Sequence, residues 1–388
     1  MRKNKYLYFL VLITVLLTGC WDSINLEDRG FIIGTAIDLE EENQSNAEQP
    51  KFTISNQLVI PAGVGSPSQV GGQEKAFLNI TSNGESIYRV NREFTALSSK
   101  VPFYEHLAVL IISEDIARTK GVLSHLLDTY IRNVNMRRGI KVVVSKEDPK
   151  ELLEFTTPEN KLPALHIEQL LLKSSKHSGF LRPIVVGDIE EYHLRGNSYV
   201  LPLLELNETI EYKSGAIFHG QKKEMVGTFN ADEMEGLELM ESNVTEKVID
   251  FPYKDVIFAF EVVKIKNNIK VDPTNIDRIK ATIDIELEGI IKESFSKQDF
   301  KESKEINAVQ QAVSEQVKKS VEKAIQKGQK ELNADVFHIW RIMETKHYDT
   351  WKKVRDDWEK GENYFANVTF DINVRTEVYS MGTSNKTS

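Results

Sequence analysis

The sequence predicts a mixed α+β protein of several domains, in which the C-terminal domain is an antiparallel-rich sheet packed with a long amphipathic helix. Three observations predict this class. Strand-like and helix-like patterns alternate through the first half of the chain. Polar and apolar residues alternate over 279–287, as in a half-buried antiparallel strand, and apolar residues recur at helical spacing over 304–327.

The first half of the chain alternates short apolar runs with amphipathic stretches. Over 85–97, apolar residues stand three, four and three positions apart, as on one face of a helix. The segment 121–131 has a similar pattern, whereas 61–72 is rich in Pro, Gly, Ser and Val and is predicted to be a loop. The predicted strands are 31–38, 51–60, 76–81, 107–113 and 139–145.

The second half opens with predicted strands near Ala216 and Met225. Its long helix is predicted to end at Gly328, since glycine commonly follows the last helical turn. A last alternating strand is predicted over 368–374. We divide the chain into a signal peptide, an N-terminal α/β region with a possible subdomain, a C-terminal α+β domain and a flexible tail. Their bounds are 1–19, 20–206 (subdomain 151–206), 207–380 and 381–388.

Composition argues against several classes of function. The formal net charge is -9, and removal of the predicted signal, with three basic residues and no acid, makes it -12. An acidic protein is a poor candidate for binding nucleic acid, because phosphates require Lys and Arg. Anionic lipid headgroups would also repel it, so residence at a membrane requires a hydrophobic anchor.

The N-terminus predicts such an anchor. Residues 1–5 are basic, 6–17 form an apolar run, and the run ends in Leu-Thr-Gly-Cys at 17–20. The run is shorter than the roughly 20 apolar residues that span a bilayer, and the order of features is that of a secretory signal. The ending is that of a lipobox, so Cys20, the only cysteine, is the predicted lipid-attachment site. A plain signal or an uncleaved anchor, with Cys20 incidental, is the alternative.

No constellation of residues in the sequence points to catalysis. It lacks a phosphate-binding Gly-x-x-x-x-Gly-Lys-Ser/Thr loop, a Gly-x-Ser-x-Gly elbow and a His-Glu-x-x-His pair. The histidines are dispersed, and His166, near Glu168, is interpreted as a surface or core-edge residue and not as a metal ligand. We therefore predict no enzyme, no catalytic, cofactor-binding or metal-binding residue, and one modified residue, Cys20.

The four tryptophans permit two interpretations. Trp21 follows Cys20, whereas Trp340, Trp351 and Trp358 fall within the last 50 residues. Trp351 and Trp358 are seven positions apart and would share one face of a helix. We favour packing between the long helix and the sheet. A partner-binding aromatic patch is the alternative.

The first half contains motifs that a known family shares. The predicted lipobox continues as Gly-Cys-Trp-Asp over 19–22, followed by Asn-Leu at 25–26 and Ile-Asp at 37–38. The segment 105–117 is similar to that family's His-x-x-x-x-Ile-Ile-Ser sequence. Residues 130–133, Tyr-Ile-Arg-Asn, resemble its Arg-Asp segment, with Asn in place of the acid.

Further motifs lie near the C-terminus. Asn-Ala-Asp-Val-Phe over 333–337 resembles the family's Ala-Asp-Ile/Val-Phe motif after a long helix, and Trp351 and Trp358 resemble its terminal aromatic positions. Through these motifs, which extend over nearly the whole predicted mature chain, the sequence resembles the Ger(x)C family, the C-subunit lipoproteins of spore germinant receptors.

The resemblance implies a fold of three mixed α/β domains and a place on the outer face of the spore inner membrane. It implies two partners, an A-type and a B-type integral-membrane subunit, with which the protein senses small nutrients and triggers germination. It implies that Cys20 accepts a diacylglyceryl group and so contacts the lipid bilayer. It supplies no catalytic residue and no cofactor.

Two other functions suit an exported, anchored chain. A substrate-binding lipoprotein of a transporter usually has two similar α/β lobes around a ligand cleft, which the second half fits less well. A cell-envelope hydrolase requires a carboxylate pair in a deep cleft, and the sequence offers only generic acids. A non-enzymatic receptor subunit that acts by protein–protein contact is the function we predict.

Overall fold

The computed structural model of the protein describes residues 26–40, 50–64, 75–133, 136–177, 180–241, 246–254, 256–294 and 303–380. The predicted signal peptide, Cys20, Trp21 and the predicted tail lie outside these residues. So does most of the predicted loop at 61–72, of which the described part contains a short helix, α1 (Pro61–Val64). Strands and helices are both abundant in the described chain, which confirms the predicted mixed α+β class.

Among the described residues, nine strands form the first sheet. They are β1 (Arg29–Leu39), β2 (Phe52–Val59), β3 (Phe77–Gly84), β4 (Val101–Phe103), β5 (Val109–Ser113), β6 (Lys141–Ser145), β7 (Tyr199–Leu206), β8 (Ile210–His219) and β9 (Glu224–Phe229). Their order is β3-β2-β1-β5-β6-β7-β8-β9, with β4 paired to β1. The pairs among β1, β5, β6 and β7 are parallel, and the outer pairs on this path are antiparallel.

Helices cover both faces of the first sheet. They are α2 (Ile87–Ser98), α3 (Glu114–Arg118), α4 (Val122–Arg132), α5 (Pro149–Leu152), α6 (Pro163–His177) and α7 (Val186–Arg195). In β5, Leu110 and Ile112 join a buried cluster with α2 and α4, whereas Val109 and Ile111 join another with α6. The central strands are apolar throughout because both of their faces are buried. The helices predicted near 85–97 and 121–131 are confirmed as α2 and α4.

Four strands of the described chain form the second sheet, in sequence order: β10 (Val248–Tyr253), β11 (Val256–Asp272), β12 (Lys280–Ser294) and β13 (Thr369–Ser380). Only β12 and β13 pair in parallel, so the sheet is antiparallel-rich as predicted. Four helices accompany it: α8 (Ala231–Glu238), α9 (Ser303–Ile325), α10 (Ile339–Lys346) and α11 (Tyr348–Val354). The apolar stripe of α9, including Val309, Val313 and Val317, is fully buried in the same cluster as Ile283 and Ile285 of β12.

The prediction that the long helix ends at Gly328 is wrong. After α9 the chain continues as a π-helix, Gln326–Glu331, which contains Gly328. A Cβ at this position would lie 2.8 Å from ring atoms of Phe337. Glycine is present here because the aromatic ring of Phe337 packs against the backbone. This contact lies outside the helical spacing, so it has no signature in the periodic pattern of the sequence.

The first sheet continues across the predicted boundary at 206–207. Strands β8 and β9, which the sequence pattern assigned to the second half, extend the first sheet beyond β7. Val200 of β7 and Ile217 of β8 belong to the buried cluster that contains the second sheet. The division of the chain at 207, with its subdomain at 151–206, therefore stays a proposal about folding units.

Candidate functional site

The predicted lipid-attachment residue precedes the described part of the chain. Cys20 lies six residues before the first described element, the 3-10 helix Leu26–Asp28, which leads into β1. No helix among the described residues is both long and apolar enough to cross a membrane. Acylation of Cys20 therefore remains a prediction from the sequence.

The motif at 333–337 forms part of a buried polar cluster. The Asp335 carboxylate is fully buried and accepts hydrogen bonds from the backbone amides of Ile339 and Trp340, at 3.1 and 2.7 Å. It also accepts one from the Trp358 indole Nε1, at 2.9 Å. Amides in the first turn of a helix lack hydrogen-bond acceptors within the helix. The Asp335 carboxylate provides the acceptor for two such amides at the start of α10. The acid of the motif thus joins α10 to the segment that carries Trp358.

A second buried acid, Glu359, connects this motif to the first sheet. Its Oε1 accepts a hydrogen bond from the Asp335 backbone amide, and its Oε2 accepts one from Ser198 Oγ at 2.8 Å. Its backbone carbonyl accepts a bond from Asn333 Nδ2 at 2.7 Å and lies 3.3 Å from His219 Nε2. Ser198 directly precedes β7 and His219 ends β8. The cluster of Ser198, His219, Asp335 and Glu359, called the junction cluster below, therefore joins the two halves of the protein.

Burial sets the protonation of the junction cluster. Burial, together with the nearby charge of Asp335, raises the pKa of Glu359 to about 8. Burial also raises the pKa of Asp335, although its three N–H donors oppose that shift. Burial lowers the pKa of His219 to about 4. At neutral pH, Glu359 is therefore largely protonated and His219 is neutral, which avoids the cost of several unpaired buried charges.

The junction cluster has the residue types of a hydrolase site but not the geometry of one. Ser198 Oγ donates to Glu359, while His219 Nδ1 lies 4.0 Å from Glu359 Oε2. A nucleophile requires its base within hydrogen-bond reach and an exposed reacting atom. All four side chains are at most 3% exposed. The arrangement suits a structural connection and leaves no route for a substrate.

An open cleft lies beside the junction cluster, between α7 and the start of α10. It has a volume of about 270 Å³. Strands β7 and β8 contribute Tyr199, Val200 and Tyr212 to its lining, and the residues before α10 contribute Val336 and His338. Phe180, Leu181, Arg182, Ile184, Tyr192, Leu237, Glu241 and Arg341 also line it. The cleft thus has aromatic and aliphatic walls together with charged groups.

The C-terminal tryptophans pack in the core. Trp340, Trp351 and Trp358 are at most 6% exposed and belong to the buried cluster of α9 and the second sheet. The rings of Trp351 and Trp358 meet edge to face, with centroids 5.4 Å apart. These positions support the packing interpretation over an exposed aromatic patch. Trp21 lies outside the described residues.

His166 lies at the edge of the core on α6. Its Nδ1 is 3.1 Å from Asn160 Nδ2, and burial lowers its pKa. The neighbouring acid Glu168 is paired with Lys141. Within the described ranges, no group of three or more His, Cys, Asp or Glu residues is arranged to hold a metal ion.

The two family-like segments of the first half are also structural. His106 packs against the rings of Phe31 and Phe103, with centroids 5.8 and 5.7 Å away. The Ile-Ile-Ser sequence at 111–113 is the buried end of β5. Tyr130, in α4, is 1% exposed. The strand end at 111–113 and Tyr130 therefore belong to the core of the first sheet, whereas the His106 side chain is exposed at its surface.

Three members of the junction cluster had no signal in the sequence. Ser198, His219 and Glu359 belong to no recognisable motif, and their contacts join positions that are 22 to 161 residues apart. Such contacts are set by the tertiary fold and not by local pattern. Asp335 alone could be singled out, because it lies in the motif at 333–337.

Comparison with known proteins identifies the family. A model of the N-terminal domain of spore germination proteins matches residues 22–206, and a model of the C-terminal part of spore germination B3/GerAC-like proteins matches residues 213–382. Spore germination protein YndF of Bacillus subtilis (strain 168) is 26% identical over 391 residues, covering 96% of each chain. Spore germination protein B3 of the same organism is 24% identical over 392 residues, covering 99% of each chain.

The fold has a relative among solved structures. The crystal structure of the GerBC protein matches with a TM-score of 0.61 and 20% sequence identity, over 89% of this chain and 97% of that one. YndF and B3 are germination proteins by name, so they give no support to the transporter alternative, and neither has the name of an enzyme. The resemblance to the Ger(x)C family is therefore confirmed, and the chain belongs to the GerAC-like family of spore germination proteins.

Proposed function

We propose that the protein is a lipid-anchored subunit of a nutrient germinant receptor, required for spore germination. Acylated Cys20 would hold it on the outer face of the spore inner membrane. It would act by contact with an A-type and a B-type integral-membrane subunit and not by catalysis. The observation that carries the proposal is the match of two germination-protein models to nearly the whole predicted mature chain.

The proposed anchor would hold the folded body near the membrane. Strand β1 begins at Arg29, nine residues after Cys20. A fully extended chain of this length spans at most roughly 30 Å. Confinement at this distance raises the effective concentration of the body near integral-membrane partners. The short tether thus favours a role that depends on contact.

The anchor is tested by Cys20→Ala in the full chain, expressed at the native level in spores. Without the thiol no thioether can form, so we expect the protein to leave the membrane fraction and nutrient-triggered germination to be impaired. Fractionation with immunoblotting measures the first effect, and the loss of spore refractility after nutrient addition measures the second. Thr18→Ser, which preserves the Leu-x-Gly-Cys ending, is the matched control and should behave as the unmodified protein.

A second variant separates anchoring from other effects of the substitution. Cys20→Ala fused to an unrelated transmembrane helix should return the body to the membrane and restore germination. Co-purification of A-type and B-type subunits from solubilised spore membranes tests the proposed partners. Normal membrane retention and normal germination in Cys20→Ala spores would contradict the proposal.

A further inference from the structure

We propose that the open edge of β13 pairs with the same strand of a second copy of this chain, so that the second sheets of two copies become one continuous sheet around a two-fold axis. This edge belongs to the folded body, and its pairing requires neither the lipid anchor nor assembly into a receptor. Three features support the pairing: a row of edge-facing amides without acceptors, a charge pattern that complements itself, and open space beside the edge.

Strand β13 is the outermost strand at one end of the second sheet. In the described chain it pairs with β12 alone. The Thr369 amide donates to the Ile279 carbonyl, on the β12 side, at 2.9 Å. Successive residues of a strand direct their backbone groups to opposite sides. The odd-numbered residues from 369 to 377 therefore face β12, and the even-numbered residues face the open edge.

Four successive edge-facing amides lack acceptors. They belong to Phe370, Ile372, Val374 and Thr376. None of these amides donates a hydrogen bond to another residue of the described chain. The next edge-facing amide, that of Val378, donates to Gln310 Oε1 of α9 at 3.1 Å. This cap limits the open stretch to 370–376, whose centre is Asn373. Unpaired backbone groups on an edge strand are a template for another strand.

The charges on the exposed face of β13 favour one register. Antiparallel pairing centred on Asn373 places Asp371 opposite Arg375 of the second copy, once on each side of the axis. These odd-numbered positions form non-hydrogen-bonded pairs, in which opposite side chains lie closest. Every free amide then faces an edge carbonyl of the other copy. A shift of two residues would place Asp371 opposite Glu377 or Asn373, and the ion pairs would be lost.

Arg375 is an exposed cation that the second copy would pair. It forms no ion pair within the described ranges. Asp371 lies 3.4 Å from Lys280, but both side chains are about half exposed, and such a pair contributes little to stability. The second copy would give Arg375 a carboxylate and Asp371 another cation.

An open groove beside the edge leaves room for the second copy. It has a volume of about 430 Å³ and lies between the C-terminal end of α9, the π-helix and residues 368–372. Ile325, Phe370 and Ile372 give it an apolar side. In the centred register, the 368–372 end of one copy meets the 374–378 end of the other, where Gln310 caps the strand. The groove can therefore accept the region around that cap.

Disulfide trapping in the full chain, purified in detergent, tests the two-fold axis. Asn373→Cys places two thiols opposite each other on the axis, with Cα atoms about 4.5 Å apart, within reach of a disulfide. We expect mild oxidation to convert most of this variant to a covalent dimer on a non-reducing gel. The unmodified protein, oxidised in parallel, accounts for Cys20.

Asn268→Cys is the matched control for the trapping. Asn268 is exposed on the same face and in the same row of paired residues, but on β11, two strands from the edge. In the proposed dimer the two Asn268 Cα atoms are about 24 Å apart, too far for a disulfide. Equal dimer from both variants, or none from Asn373→Cys, would overturn the proposal. Trapping of a different protein by Asn373→Cys in spore membranes, without the homodimer, would overturn the second copy as the occupant.

Sedimentation equilibrium in density-matched detergent measures the strength of the pairing. A single strand pair is a small interface, so we expect a dissociation constant on the order of 10 μM. Arg375→Glu places like charges opposite each other twice and should weaken the dimer at least about tenfold. Combining Asp371→Arg with Arg375→Asp exchanges the charges and should restore it. Lys266→Glu, the same change of charge on the exposed face of β11, is the control and should dimerise as the unmodified protein does.

Two results of the sedimentation measurement would contradict self-pairing. One is an unmodified protein that stays monomeric at about 100 μM. The other is a dimer that Arg375→Glu leaves unchanged. Failure of the charge exchange to restore the dimer would overturn the register centred on Asn373.

Discussion

The carboxyl of Glu359 links protonation to folding. It is 3% exposed, and burial raises its pKa from 4.5 in the unfolded chain to about 8. Between these values, the unfolded chain loses the proton that the folded chain retains. The stability that this group contributes is therefore fully present below about pH 4.5 and is lost as the pH rises towards about 8.

The neutral form of His219 has the opposite effect on the pH dependence of stability, over a lower range of pH. Its pKa is lowered from 6.5 to about 4, so its contribution to stability grows as the pH rises between those values. At pH 6.5 this histidine is still half protonated in the unfolded chain, and it is almost fully neutral in both states only above about pH 7.5. The effect of Glu359 is therefore measured as the difference between a variant and the unmodified protein, in which the contribution of the histidine largely cancels.

We expect Glu359→Gln to reduce the loss of stability from pH 6.5 to 8, because an amide keeps the shape of the protonated acid and does not ionise. The free energy of unfolding of the variant minus that of the unmodified protein should change by on the order of 1 kcal/mol across this range. Urea unfolding at several pH values measures it. Glu362→Gln, on the exposed surface, is the control and should keep the slope of the unmodified protein. Identical slopes for Glu359→Gln and the unmodified protein would contradict the burial argument.

Individual buried contacts were only partly predictable from the sequence. Asp335 stood out because it lies in a recognisable motif after a long helix. Its partner Glu359 is one acid among many, and only the tertiary fold places it against Ser198 and His219. Similarly, the prediction of Cys20 as a lipid-attachment site depends on the local pattern just before it, whereas the cleft is formed from residues scattered between Ser175 and Arg341.

Helices α8 and α9 meet at a position where only glycine fits. A Cβ on Gly236 of α8 would lie 2.0 Å from the backbone oxygen of Ser320 and 3.0 Å from Ala324 Cβ in α9. Backbone atoms cannot rotate away as the end of a side chain can. The close approach of the two helices therefore depends on the missing side chain.

Gly236→Ala should lower the free energy of unfolding by about 2 kcal/mol, because the helices must separate to admit a methyl group. Chemical denaturation measures the change. Gly139→Ala is the matched control, since a Cβ there meets no atom within 4 Å. We expect that control to stay within about 0.5 kcal/mol of the unmodified protein. Equal effects of the two substitutions would show that the helices are not held at this distance.

Periodicity predicted the elements better than their ends. The stripe of valines in α9 and the alternation in β12 each follow from one local geometric rule. The end of the helical segment does not follow from such a rule, because the ring of Phe337 leaves no room for a side chain at Gly328. Likewise, no local pattern indicates that β8 continues the first sheet, because strand pairing is decided by distant partners.

The two sheets share one of the buried clusters of the protein. Val200 and Ile217, from the first sheet, lie in the same cluster as the strands of the second sheet and α9. The junction cluster adds hydrogen bonds between Ser198 and Glu359 and between Asp335 and Glu359. If one half of the protein unfolded, the other half would expose its residues of the shared cluster and of the junction cluster to water. Unfolding is therefore expected to be cooperative.

We therefore expect one urea transition for the whole chain. Tryptophan fluorescence, which in the described chain reports only on Trp340, Trp351 and Trp358, should have the same midpoint as far-ultraviolet circular dichroism, which reports on both sheets. Ser198→Ala, which removes one bond of the junction cluster, should lower both midpoints together. Two separate transitions would instead support a division into independent units near residue 207.

Strand β13 is the last strand of the described chain, and it pairs in parallel with β12 across the long intervening segment that contains α9, α10 and α11. This sheet cannot be completed before β13 has been synthesised, and contacts so distant in sequence form slowly. Until then the core beneath α9 remains open to proteases. A premature stop codon that removed only β13 would leave β12 as a bare edge and is expected to reduce the cellular abundance of the protein far more than the few lost residues suggest.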